Sequence, residues 1–345
     1  MTEGAILTGL HLKPFMMDST LTFVTDIESE STNQTTYTLY EKENVLIGGI
    51  GTWDMVYMII QISAATVGIS MNSLTVIALS KHGQGISTAI RILMKHQAFT
   101  DAWTCMVAIV AMNQPPMWAV GNVYFDYIIC HMWHSQFIYY FGLGVSIYNL
   151  VLTAVERYVA TVYPLRHKIY ITQHIKIFIS VSYVIALVSS IPIPVFVHVE
   201  NDECVDGPGF PISNPVAVLI FHFAYYFIMF YGGPFCLFVI LYGCIILLFR
   251  KRQLNRDLSK SKTIDNASKQ VTKTVIIVSL CFIGFVGVDQ IYSLLIITGV
   301  LHFELNSSTQ KIFAFFYILN LCNNPGVYII TMPIFRDCIK KTILL

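Results

Sequence analysis

Charge is scarce in this chain. Asp, Glu, Lys and Arg make up 12% of its 345 residues, about half of the roughly 25% found in an ordinary soluble domain. A soluble protein needs a charged skin, so the deficit argues against one. The 55% hydrophobic content and the mean hydropathy of +0.64 point the same way. Internal repeats and low-complexity tracts are missing too, which excludes solenoids, collagen-like chains and coiled coils. No basic arm or stripe calls for nucleic acid. HExxH, GxSxG and P-loop patterns are absent, as is any Cys or His cluster at metal-binding spacing, so the sequence offers no catalytic constellation and no enzyme is expected. The start lacks a basic stretch before an apolar core, so no cleavable signal is expected and the first apolar segment must direct insertion.

What the chain has instead is apolar length. A helix needs about 20 mainly apolar residues to cross the hydrocarbon core. Seven segments qualify, near 53–79, 89–114, 128–156, 175–197, 214–249, 271–299 and 311–331. The expected fold is an all-α membrane protein, a seven-transmembrane helix bundle. Residues 1–52 read as a solvated outer tail, 53–331 as the bundle, and 332–345 as a short amphipathic helix and tail on the membrane surface. All but three of the 21 lysines and arginines fall in the first, third and fifth loops and the C-terminal tail; the exceptions are Lys13, Lys42 and Lys311. The positive-inside rule then puts the N-terminus outside and the C-terminus in the cytoplasm of a plasma-membrane protein. Acids gather on the outer face, among them Glu200, Asp202, Glu203 and Asp206. Asp and Glu contribute little to orientation, so topology alone does not account for them.

Two details agree with this orientation. Asn-x-Ser/Thr glycosylation signals at Asn33 and Asn306 fall outside, whereas that at Asn266 falls in the basic cytoplasmic loop. Of eight cysteines, only Cys130 and Cys204 reach the oxidising side, where disulfides persist. We pair them. The bond ties the top of the third span to the connection between the fourth and fifth.

The informative polar residues lie inside the membrane. Asp101 sits in the middle of the second span. A carboxylate there is expensive and needs partners within the bundle; Asn72, Ser146, Asn320, Asn323 and Asn324 are candidates. Such a ring suits a small hard cation such as sodium, and equally a hydrogen-bonded polar plug with no ion. Glu156-Arg157-Tyr158 ends the third span. Asn324-Pro325-Gly326-Val327-Tyr328 stands near the end of the seventh, where Pro325 removes a backbone hydrogen bond and kinks the helix.

Together these residues resemble the rhodopsin-like (class A) G-protein-coupled receptors, over nearly the whole chain. The resemblance runs through Asn72-Ser-Leu-Thr-Val, Asp101, Trp118-Ala-Val-Gly121, the Cys130–Cys204 pair, Ser146, Glu156-Arg157-Tyr158, Tyr163-Pro164-Leu165, Pro234, Tyr242, Asn320, Asn324-Pro325-x-x-Tyr328 and Phe335. It implies a receptor that binds an extracellular ligand and activates a heterotrimeric G protein. Arg157 would lock the inactive bundle and then meet the G protein. Tyr242 and Tyr328 would swing toward it. Asp101, Ser146, Asn320 and Asn324 would hold an allosteric sodium ion, the one cofactor expected. Cys338 sits where the family often carries a palmitoyl anchor in membrane lipid.

The chain departs from the family in four places. Cys281-Phe282-Ile283-Gly284 stands for the usual Cys-Trp-x-Pro of helix six, so Gly284 with Gly287 must supply any bend and Phe282 any aromatic toggle. Tyr183 replaces the usual helix-four Trp. Cys130 lies two residues further from Arg157 than the family spacing. The usual acidic partner of Arg157 on helix six is out of register, with Asp265 nearest.

The same comparison narrows the ligand. Tyr139 occupies the position of the aminergic Asp, and Ile318 that of the retinal-binding Lys, so a cationic amine and retinal lose their anchors. The expected pocket is Gln136, Tyr139, Tyr140, His222, Tyr226, Asp289 and Tyr292 beneath an acidic mouth. That surface suits a basic or amidated peptide by charge complementarity. A non-peptide small molecule or a lipid is the alternative. A seven-span transporter or channel fits less well, since paired broken helices are missing.

Overall fold

The computed structural model of the chain describes residues 52–113, 121–200, 203–207, 215–254, 262–298 and 308–344. Asn33, Asn306, Trp118 and nearly all of the expected outer tail lie outside them. Seven long helices form one bundle. They are α1 (Thr52–His82), α2 (Thr88–Ala111), α3 (Phe137–Val162), α4 (Thr172–Ser190), α5 (Pro215–Phe227 and Gly233–Leu254, joined by the wide turn Ile228–Gly232), α6 (Lys262–Ile297) and α7 (Ser308–Thr331). A short α8 (Pro333–Ile343) follows. Helix α3 runs through the centre, against α2, α4, α5 and α6, and α7 closes the ring against α1.

Five of these helical stretches are long and apolar enough to cross a membrane by themselves; α2 and α7 are not among them. α2 carries Arg91, Lys95 and Asp101, yet its pattern shows how it fits. Phe99, Trp103, Met106 and Val110 are exposed, while Gln97, Asp101 and Thr104 are buried. A spacing of three and four residues puts the first set on one outward stripe and the second on the opposite face. The apolar stripe faces lipid and the polar one the bundle interior, as an intramembrane acid requires.

The top of α3 is irregular. Asn122 caps a first turn, Val123–Ile128, its Oδ1 accepting from the Tyr124 and Phe125 amides at 3.1 and 3.3 Å. A wide π-type turn, Ile129–His134, follows. Gln136 then adopts φ 60°, a left-handed conformation that breaks the helix before Phe137. Wide turns hold extra residues per turn, which accounts for the surplus between Cys130 and Arg157. Gln136 therefore stands in the backbone break before α3 rather than within the helix. The fourth span ends earlier than its hydropathy suggests, because Pro192 and Pro194 cannot continue a helix. The chain passes instead into a hairpin, β1 (Val197–Glu200) and β2 (Glu203–Asp206), with Val199 opposite Cys204. A Cys130–Cys204 disulfide fastens this hairpin to the top of α3, Cα to Cα 5.5 Å. His131 adds a second tie, its Nδ1–H donating to Pro194 O at 2.8 Å.

After Met332, Pro333 starts α8, which buries Phe335, Cys338 and Ile339 and exposes Lys340 and Lys341. The Phe335 ring meets Tyr328 edge-on at 5.6 Å. Cys338 turns inward, its thiol donating to His82 O at 3.2 Å, so a palmitoyl chain at this position would have to displace that contact.

Small residues set the closest helix approaches. A Cβ on Gly68 of α1 would stand 2.5 Å from Cys322 Sγ and 3.0 Å from Cys105 Sγ. Overpacking of this kind costs about 1–3 kcal/mol. Gly68→Ala is expected to lower the melting temperature of the purified protein, and Cys322→Ala to restore it in the double variant. Equal melting of wild type and Gly68→Ala would mean that α1 and α7 shift apart without cost.

Candidate functional site

Polar side chains occupy three levels of the bundle. At the centre, Asp101 accepts on Oδ1 from Ser146 Oγ at 2.6 Å and Gln97 Nε2 at 3.0 Å, and on Oδ2 from Asn324 Nδ2 at 2.7 Å. Gln97 Nε2 also lies 2.6 Å from Ser146 Oγ. Its Oε1 accepts from Asn149 Nδ2 at 2.6 Å, and Asn149 continues through His96 to Tyr183. Asp101, Gln97, Ser146, Asn149 and Asn324 are all buried. Asn320 is buried on α7 but is not a partner of Asp101. Asn72 pins α1 to α7, its Nδ2 donating to Gly68 O and Leu321 O, both at 3.0 Å. Sequence reasoning named Asp101, Ser146 and Asn324 and missed Gln97, Asn149 and His96. A cation needs oxygen lone pairs, whereas two donors occupy Asp101 Oδ1 and a third meets Oδ2. The residues present do not fit the sodium ion that the resemblance implies.

The level near the start of α3 is aromatic with one acid. Asp289 Oδ2 accepts from Tyr317 Oη at 2.8 Å and from Gln290 Nε2 at 3.1 Å; Gln290 also donates to Tyr317 Oη at 3.0 Å. Neither Tyr317 nor Gln290 stood out in the sequence. Tyr139, Tyr140 and Tyr226 lie within electrostatic reach of Asp289. Tyr140 and Tyr226 meet edge-on at 5.5 Å, and Tyr226 stacks on Phe230 at 4.5 Å. The Tyr139 hydroxyl and His222 Nδ1 are buried with no hydrogen-bond partner among the described residues. The His222 ring lies 4.2 Å from that of Phe196, below the hairpin. Tyr292 stacks on Phe313 of α7 at 4.3 Å, so it fills the α6–α7 seam beside this cluster. Of the acids expected at the mouth, Glu200 and Glu203 are exposed; Asp202 and the Asp206 side chain lie outside the described residues.

At the end of the bundle where α3 and α7 finish, Arg157 makes a two-pronged ion pair with Glu156. His167 Nε2–H donates to the same carboxylate at 2.6 Å. The Asp265 side chain lies outside the described residues. Helix six is tied to helix seven instead: Gln270 Nε2 donates to Thr331 O at 3.0 Å, and Thr274 Oγ1 to Thr331 Oγ1 at 2.8 Å. Tyr242 Oη pairs with Ser279 Oγ at 2.7 Å, linking α5 to α6. Tyr158 packs against Tyr163, ring centroids 6.4 Å apart. Above this level Phe282 is fully buried, its ring meeting Phe238 edge-on at 5.8 Å. Gly287 serves close approach rather than a bend, since a Cβ there would meet Tyr231 Oη at 2.7 Å. Gly284 has open space at that position.

The profile of the family described as 7 transmembrane receptor (rhodopsin family) matches residues 71–328. The pig growth hormone secretagogue receptor type 1 (Sus scrofa) is 27% identical over 230 residues, 63% of this chain and 60% of its own length. Galanin receptor 2a of Danio rerio is 25% identical over 311 residues, 88% of this chain and 79% of that protein. The green-sensitive opsin of Gallus gallus is 23% identical over 280 residues, 80% and 76% of the two chains.

Proposed function

The chain belongs to the rhodopsin family of seven-transmembrane receptors, and from that premise we propose that it is a receptor for a basic or amidated peptide arriving from outside the cell. It is a membrane-spanning G-protein-coupled receptor and not an enzyme. The N-terminus is taken as extracellular and the C-terminus as cytoplasmic on the distribution of Lys and Arg. The observation that carries the ligand reading is Asp289. It is a half-buried acid whose partners among the described residues, Tyr317 and Gln290, are both neutral, so a cationic ligand group would find its charge uncompensated. Unpartnered polar atoms on Tyr139 and His222 supply further hydrogen-bonding capacity, and aromatic rings supply apolar contact. Relatives named for growth hormone secretagogues and for galanin support a peptide over a photopigment, since Ile318 cannot hold retinal as a Schiff base.

A screen of cationic and amidated peptides, read as nucleotide exchange on a promiscuous G protein, tests this. A hit that loses exchange with Arg157→Ala but still binds supports the reading. Exchange driven by lipids or neutral small molecules, with no peptide active, overturns the ligand class.

The resting state is proposed to depend on the tie between α6 and α7. Removing a hydrogen bond of this kind costs about 0.5–1.5 kcal/mol. Thr331→Val is therefore expected to raise ligand-free exchange by about two- to tenfold, since 1.4 kcal/mol is a factor of ten. Unchanged basal exchange at matched surface expression would remove Thr331 from the resting lock.

A further inference from the structure

The amide groups around Asp101 can be oriented without seeing hydrogens. Asn149 Nδ2 lies 3.2 Å from the Leu93 carbonyl oxygen, and a carbonyl can only accept. The Asn149 NH2 therefore points at Leu93 O and, at 2.6 Å, at Gln97 Oε1. That fixes Gln97: its oxygen faces Asn149 and its NH2 faces Asp101 Oδ1 at 3.0 Å and Ser146 Oγ at 2.6 Å. Asn149 Oδ1 is left to accept from His96 Nδ1–H at 2.9 Å, so His96 Nε2 accepts from Tyr183 Oη at 3.0 Å. Every donor in this relay, from the Tyr183 hydroxyl on α4 inward, points toward the carboxylate.

We propose that the Gln97 amide takes the place of a cation between Asp101 and Ser146, so that this receptor's central acid is held without sodium. An ion bridging those two side chains would need the oxygens that the Gln97 NH2 already occupies. The Gln97 NH2 carries partial positive charge and stands within hydrogen-bond distance of both oxygens. Ser146 donates its own proton to Asp101 at 2.6 Å, so it does not turn that hydroxyl outward as a ligand. Asn324 presents its NH2 to the other carboxylate oxygen. Gln97 cannot swing aside freely. It is 3% exposed, and moving it would leave Asn149 with a buried donor unmade, which costs about 1–3 kcal/mol. Tyr183 and Gln97 thus work as one unit, the relay on one side holding the amide that fills the seat on the other.

The test needs neither ligand nor G protein, so its failure is separate from failure of the proposed function. The full-length receptor is purified in nanodiscs and melted in sodium chloride and in choline chloride at matched ionic strength. Wild type is expected to melt at the same temperature in both. Gln97→Leu removes the amide and leaves Asp101, Ser146, Asn320 and Asn324 in place; it is expected to gain a saturable, sodium-specific rise that Asp101→Asn abolishes in the double variant. A sodium-specific rise in wild type that Asp101→Asn removes would overturn the proposal, as would a Gln97→Leu protein that melts alike in both salts. Should Gln97→Leu not fold, a sodium-23 relaxation titration of wild type against Asp101→Asn decides the matter: identical curves support the amide plug, and excess saturable broadening in wild type refutes it.

Discussion

Replacing Cys130 or Cys204 with alanine is expected to abolish ligand-stimulated nucleotide exchange and most surface display, each to the same extent, with the double replacement no worse than either. The bond closes a long segment, 74 residues apart in sequence, and removing such a native disulfide typically costs about 2–5 kcal/mol. Among the described residues, the disulfide is the covalent tie between the hairpin and the helices. Its two strands and the Gly207 amide bonded to Phe196 O at 2.7 Å keep its own shape, and it is fastened to the top of the third span by Cys204 and the neighbouring His131–Pro194 bond, beside the packing of β1 on that turn. Losing the disulfide loosens the hairpin that follows Phe196, whose ring lies 4.2 Å from that of His222. His131→Ala should show a milder form of the same defect, because one hydrogen bond contributes about 0.5–1.5 kcal/mol. The measurements are surface immunolabelling and exchange response for the four variants. Additive losses in the double cysteine variant would mean that each residue acts alone, and normal display of either single variant would mean that the hairpin is held by other contacts.

The bundle was legible in the sequence because membrane insertion imposes it. The Lys and Arg distribution implies a sidedness by the positive-inside rule, and on that reading Cys130 and Cys204 are the pair exposed to oxidation. The break at Gln136 was visible only as a count, two residues too many between Cys130 and Arg157, since no local signal marks Gln as a left-handed residue. The Asp101 network was half legible. An acid in a span announces a need for partners, but Gln97 and Asn149 are 52 residues apart and neither carries a sign of which face it joins. Register decides this, and register comes from packing. Tyr317 was hidden for the same reason: in a chain with 19 tyrosines, one more in an apolar span is unremarkable until its hydroxyl meets Asp289. Gly287 read as a flexible point, yet the space it leaves is filled by Tyr231 from α5.

Asp289→Asn is expected to weaken a cationic peptide agonist by about 30-fold or more, and by more than any single change among Glu200, Asp202, Glu203 and Asp206. Truncating one partner of a buried, hydrogen-bonded charge pair costs about 2–5 kcal/mol, and each 1.4 kcal/mol is tenfold. The substitution is conservative in shape. Asn keeps an oxygen to accept from Tyr317, so the α6–α7 contact at 2.8 Å can survive and a binding loss reports the charge. Tyr317→Phe is the companion variant. It keeps the acid but removes one of its two neutral donors, and should weaken binding less than Asp289→Asn. The outer acids behave differently because solvent screens them. Glu200 is exposed and faces His198 at 3.5 Å, and an exposed pair is worth about 0–1 kcal/mol. Their joint field should act on the association rate, and that effect should shrink as salt shortens the Debye length. The measurement is dissociation constant and on-rate for each variant at two salt concentrations, at matched surface expression. An Asp289→Asn receptor that binds the peptide like wild type would make Asp289 a structural link to Tyr317 and Gln290, and the cationic ligand would have to be recognised by the loop acids alone.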